Sequence, residues 1–206
     1  MASASTSIAI AGGGGSSSRG GAASLVRTRQ AQVSAYLAKH PMPNIVLALT
    51  RNKNQNFVCY AANLRNGALD ASNPLRAFWL DIEPSYQAAK RKKGIQSDSE
   101  PLNAMEKRMA YGYRAVPRGA SNGACDECAV SFVALPKRSF LLRVVRGVPR
   151  LIATLKTSGD VRVFLQRVHV NESPGLVLPT VHDVTIIGHN VVNGSLVEEV
   201  VRRGRK

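Results

Sequence analysis

The sequence predicts a mainly β, α+β fold: an antiparallel β-sandwich or open barrel of about nine strands, with one short helix packed on it. Three observations lead to this class. From residue 44 onwards, apolar residues mostly occur in short runs or recur with a period of two. The segments between these runs are short and carry turn signals such as Asn66-Gly67 and Asn193-Gly194. A helical spacing of apolar residues stands out only between residues 102 and 109.

The predicted strands follow one another from residue 45 to residue 201. Ile45–Leu49 is a continuous apolar run, which favours a strand buried on both faces. Residues 161–170 alternate, so Val163 and Leu165 are expected on one face and Arg162 on the other. The other predicted strands cover residues 57–61, 75–83, 128–135, 140–145, 151–156, 184–192 and 196–201.

One helix is predicted over residues 103–111. Asn103 and Glu106 are three residues apart, so each side chain can bind the backbone N–H group of the other residue. Gly112 is expected to end the helix in the left-handed conformation. A helix of about two turns is unstable alone, so we expect it to pack on the sheet. The face predicted to be buried carries the apolar residues Leu102, Met105 and Met109.

The chain is expected to form one domain with two basic tails. Residues 1–40 form a disordered tail, whose residues 1–30 are rich in Gly, Ser and Ala and contain Arg. An organelle transit peptide is the alternative for residues 1–30, and residues 31–39 can form a helical turn. The domain covers residues 41–201 and includes a basic polar insert at 84–100. Residues 202–206 form the second tail.

The charge of the chain indicates its partners. It has 28 Lys and Arg residues against 13 Asp and Glu residues, a net charge of +15. This balance favours an acidic protein surface or another polyanion, and it is compatible with non-specific nucleic-acid binding. No apolar run approaches the roughly 20 residues of a membrane-spanning helix. With three cysteines, an odd number, we expect an intracellular location, in the cytoplasm or alternatively in the mitochondrion or nucleus.

The candidate binding residues are basic. A short cluster lies in the insert, and it is expected to contact an anion or to serve as a nuclear-localisation signal. A solvated run of charges is the alternative interpretation. The candidate residues are Lys90, Arg91, Lys92, Lys93, Lys137 and Arg138.

The candidate catalytic residues are Glu106, Asp81 and Tyr111. Asp81 and Glu83 are expected on one strand face near the single Trp, Trp79, and with Glu106 they could form the acidic pocket of a hydrolase, in which two carboxylates share the proton transfers. The alternative is that Glu106 only caps its helix and that Asp81 and Glu83 face water or pair with an arginine. A pocket that gathers Glu106, Tyr111 and Arg138 would favour an enzyme.

Cys125 and Cys128 have the CxxC spacing of a metal or redox site. A structural zinc needs four ligands, and the sequence has no second CxxC. The acidic residues between the two cysteines would raise the thiol pKa values, which disfavours redox chemistry. We therefore expect reduced thiols, no metal and no cofactor.

Five blocks of the sequence, taken in order, resemble one known family. The third is the most specific of them. The blocks are RNKNQNFVCYAAN (51–63), NPLRAFWL (73–80), PLNAMEKRMAYGY (101–113), LPKR (135–138) and VFLQRVH (163–169). Together they resemble the family catalogued as domain of unknown function 4833, over about residues 44–200. The resemblance implies a β-rich fold and implies no reaction.

We expect a non-catalytic binding or structural module that docks on an acidic partner through a basic surface. One alternative is a hydrolase-like enzyme that uses Glu106 with Asp81 or Tyr111. Another is a component of an organellar ribonucleoprotein. The sequence contains no strong catalytic motif, which places the binding module first.

Overall fold

The computed structural model of the chain describes residues 31–40, 42–52, 54–157, 159–173 and 180–202. These residues form a mostly β structure with a few short helices, as the sequence predicts. The strands are Ile45–Arg51 (β1), Phe57–Ala62 (β2), Leu64–Arg65 (β3), Ala68–Asp70 (β4), Leu75–Leu80 (β5), Ser99–Pro101 (β6), Tyr113–Arg118 (β7), Ala124–Cys125 (β8), Glu127–Phe132 (β9), Phe140–Val145 (β10), Val148–Lys156 (β11), Asp160–Ser173 (β12), Thr180–Asn190 (β13) and Leu196–Arg202 (β14).

The main sheet has 11 strands, of which nine curl into a half-barrel in the order β6-β5-β2-β1-β12-β11-β10-β9-β7. The long strand β12 is its branch point. β13 pairs with β12 along residues 163–173 and continues to β14, whereas β11 and β1 pair with the first and second halves of β12. The β1–β12 pair is parallel, and the other pairs of described strands are antiparallel. A small sheet of β3, β4 and β8 lies beside it.

The main core lies between the two halves of the curled sheet. Tyr60 of β2 has its ring centroid 4.8 Å from that of Phe132 of β9, and both side chains are buried. Apolar residues of the central strands complete this core, among them Leu47, Val58, Leu142, Leu151, Leu155 and Ile186. The continuous apolar run of β1 is buried, as its composition predicts.

A second, smaller core lies on the outer face of the sheet, under a helix over residues 31–39 (α1). Val33 of this helix is buried against Phe57 and Leu80. The Tyr36 hydroxyl donates a hydrogen bond of 3.0 Å to Asp98. These contacts place residues 31–39 in the folded domain rather than in a disordered tail. Of the two predicted tails, 1–40 and 202–206, residues 1–30 and 203–206 lie outside the described residues, and Arg202 is the last residue of β14.

A β-bulge changes the phase of β12. Its pairing with β13 shifts register between Leu165 and Arg167, which leaves Gln166 unpaired. Before the bulge the odd-numbered residues such as Leu165 face the main core, and after it the even-numbered residues such as Val168 do. Arg167 therefore lies on the outer face, whereas uninterrupted alternation from Leu165 would have placed it in the main core.

Two turn predictions are confirmed. Asn66 and Gly67 have φ values of 52° and 81° in the β3–β4 hairpin, as a two-residue turn of primed type requires. β13 and β14 pair as a hairpin across residues 191–195, where Gly194 has a φ of 72°.

The helix predicted over residues 103–111 is present, but its form and its buried face differ from the prediction. An α-helical turn, Ala104–Glu106 (α3), continues as a π-helix, Lys107–Tyr111. Met105 is 67% exposed and Met109 is 43% exposed, so their predicted burial is wrong, whereas Leu102 is buried. Leu102 precedes the N-cap Asn103 and is not part of the helix, and the π-helical turn after Glu106 holds more residues than an α-helical turn. The i, i+3, i+7 spacing therefore does not mark one face.

The prediction for Gly112 is also wrong. This residue has φ −66° and ψ 159°, an extended conformation that leads directly into β7. The need for glycine comes instead from a close approach, because a Cβ at position 112 would lie 2.0 Å from the carbonyl oxygen of Lys107.

The insert at residues 84–100 is not a loop throughout. It contains the helix Pro84–Lys92 (α2), with Pro84 in its first turn and basic residues in its last turn, both of which favour a helix. The last two residues of the insert, Ser99 and Glu100, begin β6, which pairs with β5. None of the helices found among the described residues is long and apolar enough to cross a membrane.

Candidate functional site

A cleft of about 420 Å³ opens at one end of the half-barrel. The ends of β1 and β12 and the start of β13 form one wall, and α3 with the π-helix forms the other. Its described lining residues are Arg51, Asn54, Trp79, Asn103, Met105, Glu106, Met109, Ala110, Tyr111, Glu172 and Val181. Three blocks that carry the family resemblance, those at 51–63, 73–80 and 101–113, contribute to this lining.

The capping box predicted from the sequence fixes one wall. The Asn103 side chain accepts a hydrogen bond of 2.9 Å from the Glu106 backbone N–H, and Glu106 Oε2 accepts one of 2.9 Å from the Asn103 backbone N–H. Trp79 Nε1 donates a bond of 3.0 Å to Glu106 Oε1. Each carboxylate oxygen of Glu106 therefore has a partner, and this residue joins the helical segment to β5.

The π-helix places Tyr111 at the bottom of the cleft. The Tyr60 hydroxyl donates a bond of 2.9 Å to the Tyr111 carbonyl oxygen, which anchors the end of the segment to the core. The Tyr111 ring packs edge-on against Trp79, with centroids 5.1 Å apart. The side chain of Tyr111 is buried, yet no described residue makes a hydrogen bond of normal geometry with its hydroxyl, although Arg51 is close enough to act on its pKa. Such a group is unusual in a folded protein.

Arg51 and Glu172 form the opposite wall. Arg51 Nη1 lies 3.5 Å from Glu172 Oε1, and the Arg51 guanidinium lies 4.8 Å from the centroid of the Tyr111 ring. Asn52 fixes the two strand ends to each other, because its amide donates to the Glu172 carbonyl (2.9 Å) and its Oδ1 accepts from the Glu172 N–H (3.1 Å). Arg51 Nε is buried without a partner.

The electrostatics of the cleft keep Tyr111 protonated. Burial raises the pKa of Tyr111 to about 12, although Arg51 acts in the opposite direction. At neutral pH the phenol therefore carries its proton and can donate it in a hydrogen bond. Together with Arg51 Nε, it gives the cleft two donors that no described residue satisfies.

The structure brings together two of the three candidate catalytic residues. Glu106 and Tyr111 line the cleft, but Asp81 does not. Asp81 is buried after β5, where its carboxylate pairs with Lys90. The acidic pocket predicted from Asp81 and Glu106 is therefore wrong, because the loop after β5 turns Asp81 towards α2. Arg138, the third residue of the pocket that would favour an enzyme, does not line the cleft.

The candidate basic residues divide into paired and exposed groups. Lys90 is buried and pairs with Asp81 and Glu100, so it belongs to no basic surface, and the prediction that it binds an external anion is corrected. Arg138 makes a two-bond contact with Glu199 and is half-buried, so this contact occupies its guanidinium. The remaining candidates, Arg91, Lys92, Lys93 and Lys137, are exposed.

A basic groove that the sequence analysis missed lies on the other side of the α3–π segment. It has a volume of about 760 Å³, and its cationic lining residues are Arg76, Lys107 and Arg108. Its described lining contains no Asp or Glu. Arg76 lies 31 positions before the adjacent pair Lys107 and Arg108 in the sequence, so no run of charges revealed the groove. The two helical residues lay in a quoted block but were not assigned a role.

The three cysteines are free and buried, as expected for reduced thiols. Burial, joined by the neighbouring Cys125, raises the pKa of Cys128 to about 11. Burial, joined by the neighbouring Asp126, also raises the pKa of Cys125. Among the residues that the structure describes, no group of three or more His, Cys, Asp or Glu side chains is arranged to hold a metal ion.

Two residues of the cleft were absent from the sequence predictions. Arg51 opens one of the resemblance blocks, which is the signal that could have identified it. Glu172 had no such signal, because only the parallel pairing of β1 with β12 brings it beside Arg51.

Comparison with known proteins gives one match. A family model described as "Domain of unknown function (DUF4833)" matches residues 47–200. No curated protein and no solved structure matches the chain. The matched range contains all the described residues that line the cleft and the basic groove.

Proposed function

The chain belongs to the DUF4833 family, and because the description of that family names no reaction, we propose from the geometry that it is a non-catalytic binding module. Its ligand is an acidic segment of a partner protein that lies across the α3–π segment. The observation that carries the proposal is the composition of this segment's two sides. One side is the aromatic cleft with its unpartnered Tyr111 hydroxyl, and the other is the basic groove.

The donors of the cleft suit an oxygen acceptor of the partner. The protonated Tyr111 hydroxyl and Arg51 Nε both need acceptors, and a backbone carbonyl or a carboxylate supplies one. Satisfying a buried donor regains a stabilisation that the free protein lacks. The partner's oxygen therefore supplies a contact that the described residues do not make among themselves.

The apolar part of the cleft suits one hydrophobic side chain. Met105 and Met109 are exposed at its rim, and flexible methionines adapt to varied partners. Behind them is a chamber of about 150 Å³ that shares Tyr111 with the cleft. Leu49 and Val184 are among the residues that line this chamber, which makes it mainly apolar.

The basic groove accounts for the acidic character of the partner. Arg76, Lys107 and Arg108 lie on one side of the segment without a carboxylate in the described lining. Carboxylates of the partner would meet these cations while its apolar side chain enters the cleft. The net charge of +15 also attracts an acidic partner from a distance, which accelerates association.

Trp79 allows a direct test, because it is the single Trp of the chain and lines the cleft. We expect an acidic peptide with one central Leu to change the fluorescence of Trp79 on titration. The same peptide with Ala in place of Leu should bind more weakly, and a basic peptide of the same pattern should not bind. Binding should weaken as salt is raised.

A matched pair of variants locates the site. Replacing Arg76, Lys107 and Arg108 with Gln should reduce the affinity for the acidic peptide by tenfold or more, since each contact to a charged group contributes about 1 kcal/mol or more. Replacing Arg91, Lys92 and Lys93 with Gln removes the same charge from α2 and should change affinity only slightly. Equal losses in both variants, or no binding by the wild type, would contradict the proposal.

A hydrolase is the second candidate, and one observation favours it. Glu106 and Glu172 line the same cleft as Tyr111, which places two carboxylates beside one phenol. Against this, both oxygens of Glu106 are engaged by Trp79 and Asn103, and the described lining contains no Ser, Cys, His or Lys nucleophile. Turnover of a peptide or glycoside that is lost in Glu172→Gln would favour the hydrolase over the binding module.

A further inference from the structure

A second cavity lies on the outer face of the sheet, between α1 and strands β1, β11 and β12, with a volume of about 630 Å³. We propose that this cavity binds a small amphiphilic anion. The carboxylate or phosphate head group of the ligand pairs with Arg167, and the apolar body of the ligand lies against α1. This site is separate from the cleft, since the two share no lining residue.

Arg167 is the main evidence. It is 2% exposed and lines the cavity, yet no described residue forms a hydrogen bond with its Nε or Nη1. Its other terminal nitrogen, Nη2, has a long contact of 3.5 Å with the Ser34 hydroxyl of α1. A guanidinium offers five N–H donors in a fixed plane, which suits the two oxygens of a carboxylate or phosphate. An internal arginine with so few partners is costly unless an anion binds it.

The charges around Arg167 favour an anion. Arg150 also lines the cavity, and its guanidinium lies 5.6 Å from the centroid of the Phe164 ring. No Asp or Glu occurs among the described residues of the lining. Burial lowers the pKa of Arg167 to about 10, so it still carries its charge at neutral pH. Among its described lining residues the cavity thus has one buried and one exposed arginine and no carboxylate.

The rest of the lining favours an apolar body on the ligand. Val33 of α1, which lines the cavity, is also part of the buried outer core. The volume of the cavity is within the range typical of small-molecule sites, which are mainly apolar with a few placed polar groups. The apolar lining includes Val33, Leu37, Ala38, Met42, Ile45 and Phe164.

The position of the site follows from the bulge in β12. The register shift after Leu165 turns Arg167 onto the outer face, where α1 covers it. Glu172 of the cleft is five residues further along the same strand, a distance of about 16 Å at the usual rise per residue. Ligand binding at the outer cavity is therefore measurable independently of peptide binding at the cleft.

Thermal unfolding of the full chain with defined probes tests the proposal. Decyl phosphate and decanoate, used below their micelle-forming concentrations, should each raise the melting temperature. The expected rise is about 5 °C when the free ligand concentration is about one hundred times its Kd. The two probes distinguish a phosphate head group from a carboxylate. Decanol lacks the charge and inorganic phosphate lacks the apolar body, so both should give smaller shifts.

Variants assign the effect to Arg167. Arg167→Met should reduce the affinity for the better probe by roughly tenfold to a hundredfold, the loss expected for hydrogen bonds to a charged group. Arg167→Lys keeps the charge without the planar fork, so it should bind with intermediate affinity. It also serves as the test if Arg167→Met does not fold. Arg143→Met is the matched control, because Arg143 is exposed on β10 outside the cavity.

Four results would overturn the proposal. The first is the absence of any shift with both alkyl anions, and the second is equal stabilisation of the wild type and Arg167→Met. The third is equal stabilisation by decanol, and the fourth is equal stabilisation by inorganic phosphate. A shift that is retained in Arg143→Met and lost in Arg167→Met supports it.

Discussion

Lys90 and Arg167 are two buried cations in opposite situations. Lys90 is 6% exposed, and its ammonium contacts the Asp81 carboxylate, the Glu100 carboxylate at 2.8 Å and the Ser97 carbonyl at 3.3 Å. Arg167 is 2% exposed, and among the described residues only the Ser34 hydroxyl, at 3.5 Å, accepts from its guanidinium. Lys90 therefore has an acceptor for each of its three N–H donors, whereas Nε and Nη1 of Arg167 have none in the part of the chain that the structure describes.

The difference separates a structural charge from a ligand-binding one. Although burial acts to lower it, the carboxylates of Asp81 and Glu100 raise the pKa of Lys90, so the folded state favours its charge. Burial alone acts on the pKa of Arg167, and it lowers that pKa. We infer that Lys90 fixes α2 to the sheet, whereas Arg167 binds the small amphiphilic anion proposed above.

The largest expected loss of stability follows the replacement of Lys90, the paired cation. Lys90→Met leaves Asp81 buried without a counter-ion, which should lower the free energy of unfolding by about 3–5 kcal/mol. Urea unfolding measures the change. Lys92→Met in the same helix is the control, since Lys92 is exposed and its removal should cost less than about 0.5 kcal/mol. Equal losses in the two variants would mean that the contacts of Lys90 are not structural.

The Arg138–Glu199 pair adds a pH dependence to the comparison. Although burial acts to raise it, hydrogen bonds from Arg138 and from the Lys156 backbone lower the pKa of Glu199 below its ordinary value. Its stabilisation is therefore complete above the ordinary value of about 4.3 and is lost as the pH falls through the lowered pKa of the folded state.

The variant Glu199→Gln should cost about 2 kcal/mol at pH 7, as expected when hydrogen bonds to a charged group are lost. The difference from the wild type should narrow only below about pH 4.3. Urea unfolding at a series of pH values checks this. A difference that stays constant down to pH 3 would exclude the ionised carboxylate as the cause.

A smaller effect is expected in the cleft, where the polar groups of the helical wall are paired but partly exposed. Glu106→Ala removes the bonds to Trp79 and to the Asn103 N–H, and it should cost about 1 kcal/mol. Thermal unfolding measures the loss. Glu83→Ala is the control, because Glu83 accepts only from the exposed Ser85 hydroxyl among the bonds described. A loss of 3 kcal/mol or more would show that Glu106 supports the whole domain.

The smallest effect is expected at Met105. This residue is 67% exposed, so Met105→Asp should change the free energy of unfolding by less than about 0.5 kcal/mol. The same change should weaken the binding of a Leu-containing acidic peptide, because it places a negative charge at the rim of the cleft. A large loss of stability would contradict the exposure of Met105 and would indicate that its side chain is buried, as the i, i+3, i+7 spacing predicts.

The features predicted correctly from the sequence are local. The Asn193-Gly194 hairpin and the Asn103–Glu106 capping box depend on residues a few positions apart, and both are present. The continuous apolar run of β1 is buried on both faces because main and outer cores lie on either side of it. Fold class follows from the sum of such local signals.

The features missed depend on irregular backbone or on distant strands. The helix begins only after Leu102, and it continues as a π-helical turn from Lys107, so Met105 and Met109 do not share a buried face with Leu102. The bulge in β12 moved Arg167 to the outer face, and an alternating pattern cannot show an unpaired residue. Half of the candidate site, Glu106 and Tyr111, was predicted, whereas Glu172 reaches the cleft only through the parallel β1–β12 pair.

The most direct test compares the two buried cations in the protein without added ligand. The measurement is the free energy of unfolding of Arg167→Met beside that of Lys90→Met, both relative to the wild type. We expect Arg167→Met to be as stable as the wild type or more stable, since an apolar side chain replaces a buried charge without a counter-ion. A loss for Arg167→Met as large as that for Lys90→Met would contradict the distinction and make Arg167 a structural residue.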